Sequence, residues 1–98
     1  MIIVTGTVLA SPETLDEALA LSLAHVRRSR LEPGCVSHSV QRDVEEPLRL
    51  VFFEEWADRD ALAAHFAVPA VREFSRSIAK LAVEKTTLRV YEAERTRV

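Results

Sequence analysis

Leu48-Arg49-Leu50-Val51-Phe52-Phe53-Glu54-Glu55-Trp56 reads as a β-strand whose centre, Leu50 to Phe53, is apolar on both faces. Such a block suits a strand whose sheet is covered on each side. One side therefore calls for helices and the other for a further apolar surface. The strand also ends in an acid and an indole. Glu54 and Trp56 share the parity of Leu50 and Phe52, so all four point to the same side of the sheet.

Working outward toward the N-terminus, Asp43 to Pro47 is a polar turn. Before it, Val36, His38 and Val40 alternate with Ser37, Ser39 and Gln41, the period of two expected of a strand. Pro33-Gly34 separates that strand from a helix, in which Leu15, Ala18, Leu19, Ser22, Leu23 and Val26 recur at steps of three and four. Arg27, Arg28 and Arg30 suit the negative end of its dipole, and Thr14-Leu15-Asp16-Glu17 has the form of a capping box. Ile2 to Leu9, rich in β-branched residues, forms a first strand. Toward the C-terminus, Asp58 suits the N-cap of a helical stretch carrying Leu62, His65 and Phe66. Pro69 bends or splits it before Val71, Phe74, Ile78 and Leu81 continue the apolar side. Thr86 to Tyr91 forms a fourth strand, and Glu92 to Val98 is a charged tail expected to fray.

The order β-α-β-β-α-β predicts a ferredoxin-like α+β fold: an antiparallel four-stranded sheet with helices on one face. The length leaves room for one domain, read as residues 1–98. On the sheet, the even positions Ile2, Val4, Val8, Val36, Val40, Leu50, Phe52, Leu88 and Val90 are assigned to the helix-covered side. Odd positions mix Ile3, Leu9, Val51, Phe53 and Tyr91 with Thr, Ser and Arg. That face is too apolar to leave in water and suits a subunit contact, which predicts a homodimer packed sheet against sheet.

Composition narrows the function classes. Apolar residues make up 48% and charged residues 29%, which excludes a disordered chain. A net charge of -2 offers no footprint for nucleic acid or for an anionic membrane surface, so neither partner is expected. The single Cys35 cannot form an internal disulfide and suits a reducing compartment, giving a cytoplasmic expectation. Met1 to Val4 lacks a basic leader and is interrupted by Thr5, Gly6 and Thr7, so it reads as strand and not as signal peptide. Ala18 to Ala24 is far short of a membrane span. With only Gly6 and Gly34 there is no Gly-rich phosphate loop.

The candidate site follows from side-chain parity. Glu54 and Trp56 face the helices, His65 lies three residues after Leu62 on the same helical face, and His38 sits between Val36 and Val40. An apolar cavity with a few inward polar groups is the usual character of a small-molecule site. A purely structural reading stands beside it, in which Glu54 and His65 pair with each other or cap backbone groups and Trp56 and His38 are core. His25 is read as solvated surface. Cys35, just after the Pro-Gly turn and without a neighbouring base, is read as a small apolar filler. A metal site from His38, Glu54 and His65 is conceivable, but no short-range ligand pair of the zinc type is present. The clusters Arg27, Arg28, Arg30 and Arg72, Arg76, Lys80 are read as solvated faces.

Taken together, Glu32-Pro33-Gly34-Cys35, His38 at a place where Tyr is common, Phe53-Glu54-Glu55-Trp56, Asp58, Ala61-Leu62 and His65 resemble the antibiotic biosynthesis monooxygenase (ABM) family, including its quinol monooxygenase members. The resemblance spans essentially the whole chain. It implies a dimeric α+β barrel with each pocket between the helices and sheet of one subunit. It also implies oxygenation of a phenolic or hydroquinone-like substrate by O₂ without flavin, haem or metal: a base deprotonates an electron-rich substrate, and the anion itself reduces O₂. By position, Glu54, Trp56 and His65 match recurrent pocket residues of the family, and His38 the place often held by Tyr. His65 and Glu54 are thus the expected catalytic pair. His38, Phe52, Trp56, Phe66 and Phe74 are the expected substrate-binding side chains, with Trp56 stacking on or orienting the ring. An imidazole of ordinary pKa about 6.5 is better poised near neutrality than a carboxylate near 4.3, which favours His65 as proton acceptor. Desolvation of Glu54 would reverse that choice. One departure is the absence of any Asn, which several relatives that oxygenate polyketides or degrade haem use; this argues against haem degradation. A non-oxidative isomerase acting on a small carbonyl compound, and a ligand-binding or redox-sensing protein without turnover, are the competing functions.

Overall fold

The computed structural model describes residues 1–98. The elements are β1 (Ile2–Leu9), α1 (Leu15–Ser29), β2 (Cys35–Arg42), β3 (Arg49–Trp56), α2 (Arg59–Ala67), α3 (Pro69–Leu81) and β4 (Thr87–Glu92). β3, apolar on both sides at its centre, lies inside the sheet, whose order is β2-β3-β1-β4 and whose pairings are all antiparallel. This is the ferredoxin-like arrangement that the element order predicts. The second helical stretch is two helices. Val68 (φ -68, ψ 125) is extended because the ring of a following proline drives its predecessor out of the helical region. Pro69 then opens α3 at its first position, where a missing N–H costs nothing.

Register fixes which side chains share a face. Ile2 opposes Trp56, Val4 opposes Glu54 and Val8 opposes Leu50, while His38 and Val40 of β2 oppose Glu54 and Phe52. Directly opposed residues project to the same side, so the even positions of β1 and β3 form the buried floor beneath the helices. Val8, Ala10, Ala18, Val26, Leu50, Phe52 and Ile78 make one core cluster. Ile2, Val4, Trp56 and Leu62 make a second, with Cys35 packed against it as a small apolar neighbour. On the opposite face, Ile3, Leu9 and Val51 are half-buried, while Phe53 and Tyr91 are exposed.

Three even-position expectations fail. Val36 is exposed because the β2–β3 register shifts between Cys35 and Ser37, so Cys35 takes the inward place opposite Trp56 and Val36 is extruded. Leu88 and Val90 oppose Gly6 and Val4 and so have the right parity, yet both are more than half exposed. β4 is an edge strand, and the helices leave it uncovered along its length. The capping box at Thr14 also does not form. Its hydroxyl accepts from the Ser11 N–H and donates to the Leu81 carbonyl, both at 2.9 Å, which ties the start of α1 to the end of α3. Asp58 does cap α2, accepting from the Ala61 N–H at 2.8 Å.

The turn before β2 is set by Gly34, whose φ of +82 is a conformation L side chains rarely adopt. A Cβ there would lie 2.5 Å from the Ala61 Cβ of α2. The Gly34 carbonyl accepts from the Ala57 N–H at 2.8 Å, so the turn is pinned against the start of α2. No helix is long and apolar enough to cross a membrane.

Candidate active site

Four elements each deliver one polar group to the space between helices and sheet. β3 supplies Glu54, β2 His38, α1 His25 and α2 His65; the loop after α1 adds Glu32. Glu54 is 5% exposed, its Oε1 accepting from Trp56 Nε1–H at 2.9 Å. His65 Nε2 lies 4.0 Å from the same Oε1, and His38 Nε2 lies 3.5 Å from Glu54 Oε2. On its other edge, His65 Nδ1 is 3.0 Å from Glu32 Oε1, and Arg28 Nη1 meets Glu32 Oε2 at 3.0 Å. The three imidazoles form a triangle with centroid separations of 5.2, 5.6 and 6.0 Å. The acid, the indole and the imidazoles therefore converge.

Burial decides their charge. It pushes His25 down to about 3, helped by His38, His65 and Arg28. It pushes His38 down to about 4, helped by His65, Arg30 and Arg28. His65 is also lowered by burial, but the hydrogen bond and charge of Glu32 pull it back up. Burial raises Glu54; the Trp56 hydrogen bond opposes the rise and the Glu32 charge adds to it. The imidazoles thus resist protonation while Glu54 is held toward its neutral form. His38, held down to about 4, meets Glu54 as a neutral imidazole, and both of its nitrogens lack a hydrogen-bond partner.

Glu54, His65 and His25 line a partly enclosed cavity of about 190 Å³ whose apolar walls include Phe52, Phe66, Val71 and Phe74 and whose rim reaches Leu88 of β4. A broader groove of about 760 Å³ beside Met1, Asp58 and Glu92 is open to solvent and contains none of these imidazoles. Of the expected site residues, Glu54, His65, Phe52, Phe66 and Phe74 line the smaller cavity, but Trp56 and His38 do not. Trp56 is 0% exposed, with its indole 4.5 Å from the His65 ring. Its N–H is engaged by Glu54 and its ring lies against His65, so it stands behind these two groups and not in the cavity wall. His38, 2% exposed, likewise stands behind Glu54 instead of facing the cavity.

Two further residues belong to the site. His25 is not solvated surface: it is 8% exposed and stacked on Phe74 at 4.0 Å and 3°. Its place was legible in the phase of α1, because Ala18, Ser22, His25, Val26 and Ser29 form the buried stripe. Glu32 opens Glu-Pro-Gly-Cys, and nothing local in the sequence signals its reach to α2. No three His, Cys, Asp or Glu side chains are spaced to hold one metal ion. Chemically, the arrangement offers an imidazole that burial keeps from protonation beside a carboxyl that burial pushes toward its protonated form, at an apolar wall.

The chain matches the family model described as antibiotic biosynthesis monooxygenase over residues 1–77. It is 35% identical over 95 residues to the uncharacterized protein sll1783 of Synechocystis sp., an alignment that covers 97% of this chain and 65% of that protein, so the chain spans just under two thirds of the relative's length. Among solved structures, a candidate antibiotic biosynthesis monooxygenase from Deinococcus radiodurans superposes with a TM-score of 0.94 at 28% identity, covering 100% of this chain and 97% of that one. A further crystal structure of an antibiotic biosynthesis monooxygenase gives 0.88 at 29% identity, covering 97% and 100%. Rv0793 from Mycobacterium tuberculosis shares the fold, with a TM-score of 0.89 at 22% identity and coverage of 99% and 98%.

Proposed function

This chain belongs to the antibiotic biosynthesis monooxygenase family, and from that premise we propose that it oxygenates a small, single-ring phenol or hydroquinone with O₂, with His65 as the initiating base. The observation that carries the reading is the phenylalanine-walled cavity bordered by His65 and Glu54. Its volume of about 190 Å³ is below the roughly 300 Å³ at which drug-sized pockets begin. A cavity of roughly 150 Å³ already accepts benzene, so one aromatic ring fits within these walls.

In this reading His65, neutral because it is buried, takes the proton of a ring hydroxyl. The anion passes one electron to O₂, and the resulting superoxide and ring radical join through a new C–O bond. The peroxide loses water as its O–O bond breaks and the ring C–H hydrogen leaves. One hydroquinone and one O₂ thus give one hydroxyquinone and one water. Glu54, raised toward its protonated form, donates to a substrate oxygen, while Phe52, Phe66 and Phe74 hold the ring and keep water from the radical pair. Trp56 positions Glu54 through its N–H. The sheet face bearing Ile3, Phe53 and Tyr91 is assigned to a second copy of the chain; light scattering that finds a stable monomer at micromolar concentration counts against it.

The test is O₂ uptake by metal-free protein over a panel of monocyclic hydroquinones. His65→Gln should lose about 10²-fold or more in kcat. Rates unchanged by that substitution would remove His65 as the base. A second reading rests on the same 4.0 Å pairing of base and carboxyl, which also suits enolisation of a small carbonyl compound. Turnover in the strict absence of O₂ would favour that isomerase reading.

A further inference from the structure

We infer that Glu32 is a positioning residue of this site, fixing the tautomer and orientation of His65 so that Nε2 is the nitrogen free to take a proton. The inference rests on the reading of His65 as base. Glu32 Oε1 lies 3.0 Å from His65 Nδ1. An ionised carboxylate only accepts hydrogen bonds, so Nδ1 must carry the hydrogen and Nε2 the lone pair. Nε2 has no partner of that kind: the nearest carboxyl oxygen, on Glu54, is 4.0 Å away, and both side chains border the cavity.

Glu32 is itself held in place. Its second oxygen meets Arg28 at 3.0 Å, and its side chain is only 14% exposed. Its carbonyl accepts from the Cys35 N–H and its N–H donates to the Ser29 carbonyl, bracketing the Pro33-Gly34 turn. Gly34 in turn sits against Ala61, one helical turn before His65, so backbone packing sets the distance between carboxylate and imidazole. The result is a cation–carboxylate–imidazole line in which Arg28 holds one oxygen of Glu32, and Glu32 orients His65 and stabilises the imidazolium that proton transfer creates. That is the general logic of a base oriented by a third group. The other groups around His65 are His25 and Arg28 from α1, His38 from β2 and Glu54 from β3; of these, Arg28 opposes protonation.

The experiment uses the full chain with Glu32→Leu, Glu32→Gln and His65→Gln, each checked for fold by circular dichroism. Nitrogen-15 NMR of the His65 ring should show a single Nδ1–H tautomer in wild type and in Glu32→Gln, which keeps an acceptor, and a mixture in Glu32→Leu. Titration should place the His65 pKa lower in both Glu32 variants. In O₂ uptake, Glu32→Leu should lose on the order of 10²-fold in kcat and Glu32→Gln about tenfold, with KM little changed because Glu32 is not in the cavity wall. A wild-type tautomer and pKa in Glu32→Leu overturns the inference. So does a Glu32→Leu rate within about twofold of wild type when His65→Gln is inactive. Full activity in His65→Gln would instead remove the base assignment, and the nitrogen spectrum would still decide whether Glu32 sets the tautomer.

Discussion

Lowering the pH from about 6.5 to 4.5 charges histidines in the unfolded chain while the folded chain resists the same protons. His25 is held down to about 3 and His38 to about 4, against an ordinary value of 6.5. Both pKa values are depressed by folding, so their contribution is complete above 6.5 and is lost as the pH falls from there toward the folded values. Each proton that the unfolded chain binds and the folded chain refuses costs about 1.4 kcal/mol per pH unit. Two histidines therefore remove about 2.7 kcal/mol per unit well below pH 6.5. Glu54 works in the opposite sense, since burial raises it and the folded chain holds a proton the unfolded chain has released above 4.5. It offsets at most one proton, leaving a net loss of at least about 1.4 kcal/mol between roughly pH 5.5 and 4.5. That is a large share of a typical stability of about 5–15 kcal/mol. Urea midpoints at several pH values read this slope directly. His25→Phe keeps the stack on Phe74 and should flatten the slope by about one proton. A wild-type curve that stays level down to about pH 4.5, or a His25→Phe curve parallel to it, would refute the reasoning.

Gly34→Ala should lower stability by roughly 2–4 kcal/mol in a thermal melt, because it combines a positive φ with a Cβ placed on Ala61. Trp56→Phe removes the donor to Glu54; carbon-13 NMR should find the Glu54 carboxyl titrating higher still, and a denaturant midpoint should report a loss of about 2 kcal/mol. Phe74→Ala should cost about 3–4 kcal/mol of stability and shift preference toward bulkier rings, measured as kcat/KM across a graded hydroquinone series.

How far the sequence carries depends on whether a property is local. The parity of β3, the split at Pro69 and the cap at Asp58 are consequences of neighbouring residues, and they were readable as such. Val36 departs from its period-two face because a bulge breaks that period without leaving a compositional mark. Leu88 and Val90 had the right parity, but whether helices reach a strand is settled by sheet order and helix placement, not by the strand's own residues. In α1, hydrophobicity drew attention to Leu23, which is 41% exposed, whereas the phase set by Ala18, Ser22 and Val26 includes His25. The convergence of Glu54, Trp56 and His65 followed from face assignments. Which of them borders the cavity did not, because Trp56 and Glu54 share a face and differ only in how deeply each is packed. Glu32 lay beyond reach because its contact with His65 spans a turn and a separate helix.

The break at Val68–Pro69 also divides the helical wall of the hollow between two rods. The imidazole proposed to start the chemistry is carried by α2, while Val71, Phe74 and Ile78 stand on α3, a separate rod. The rods meet at Val68, whose N–H donates to the His65 carbonyl and whose carbonyl accepts from Val71 and Arg72, while the glycine turn anchors the first of them. Size selection is thus shared, with Phe66 standing one residue from the proposed base on the first rod and Phe74 on the second.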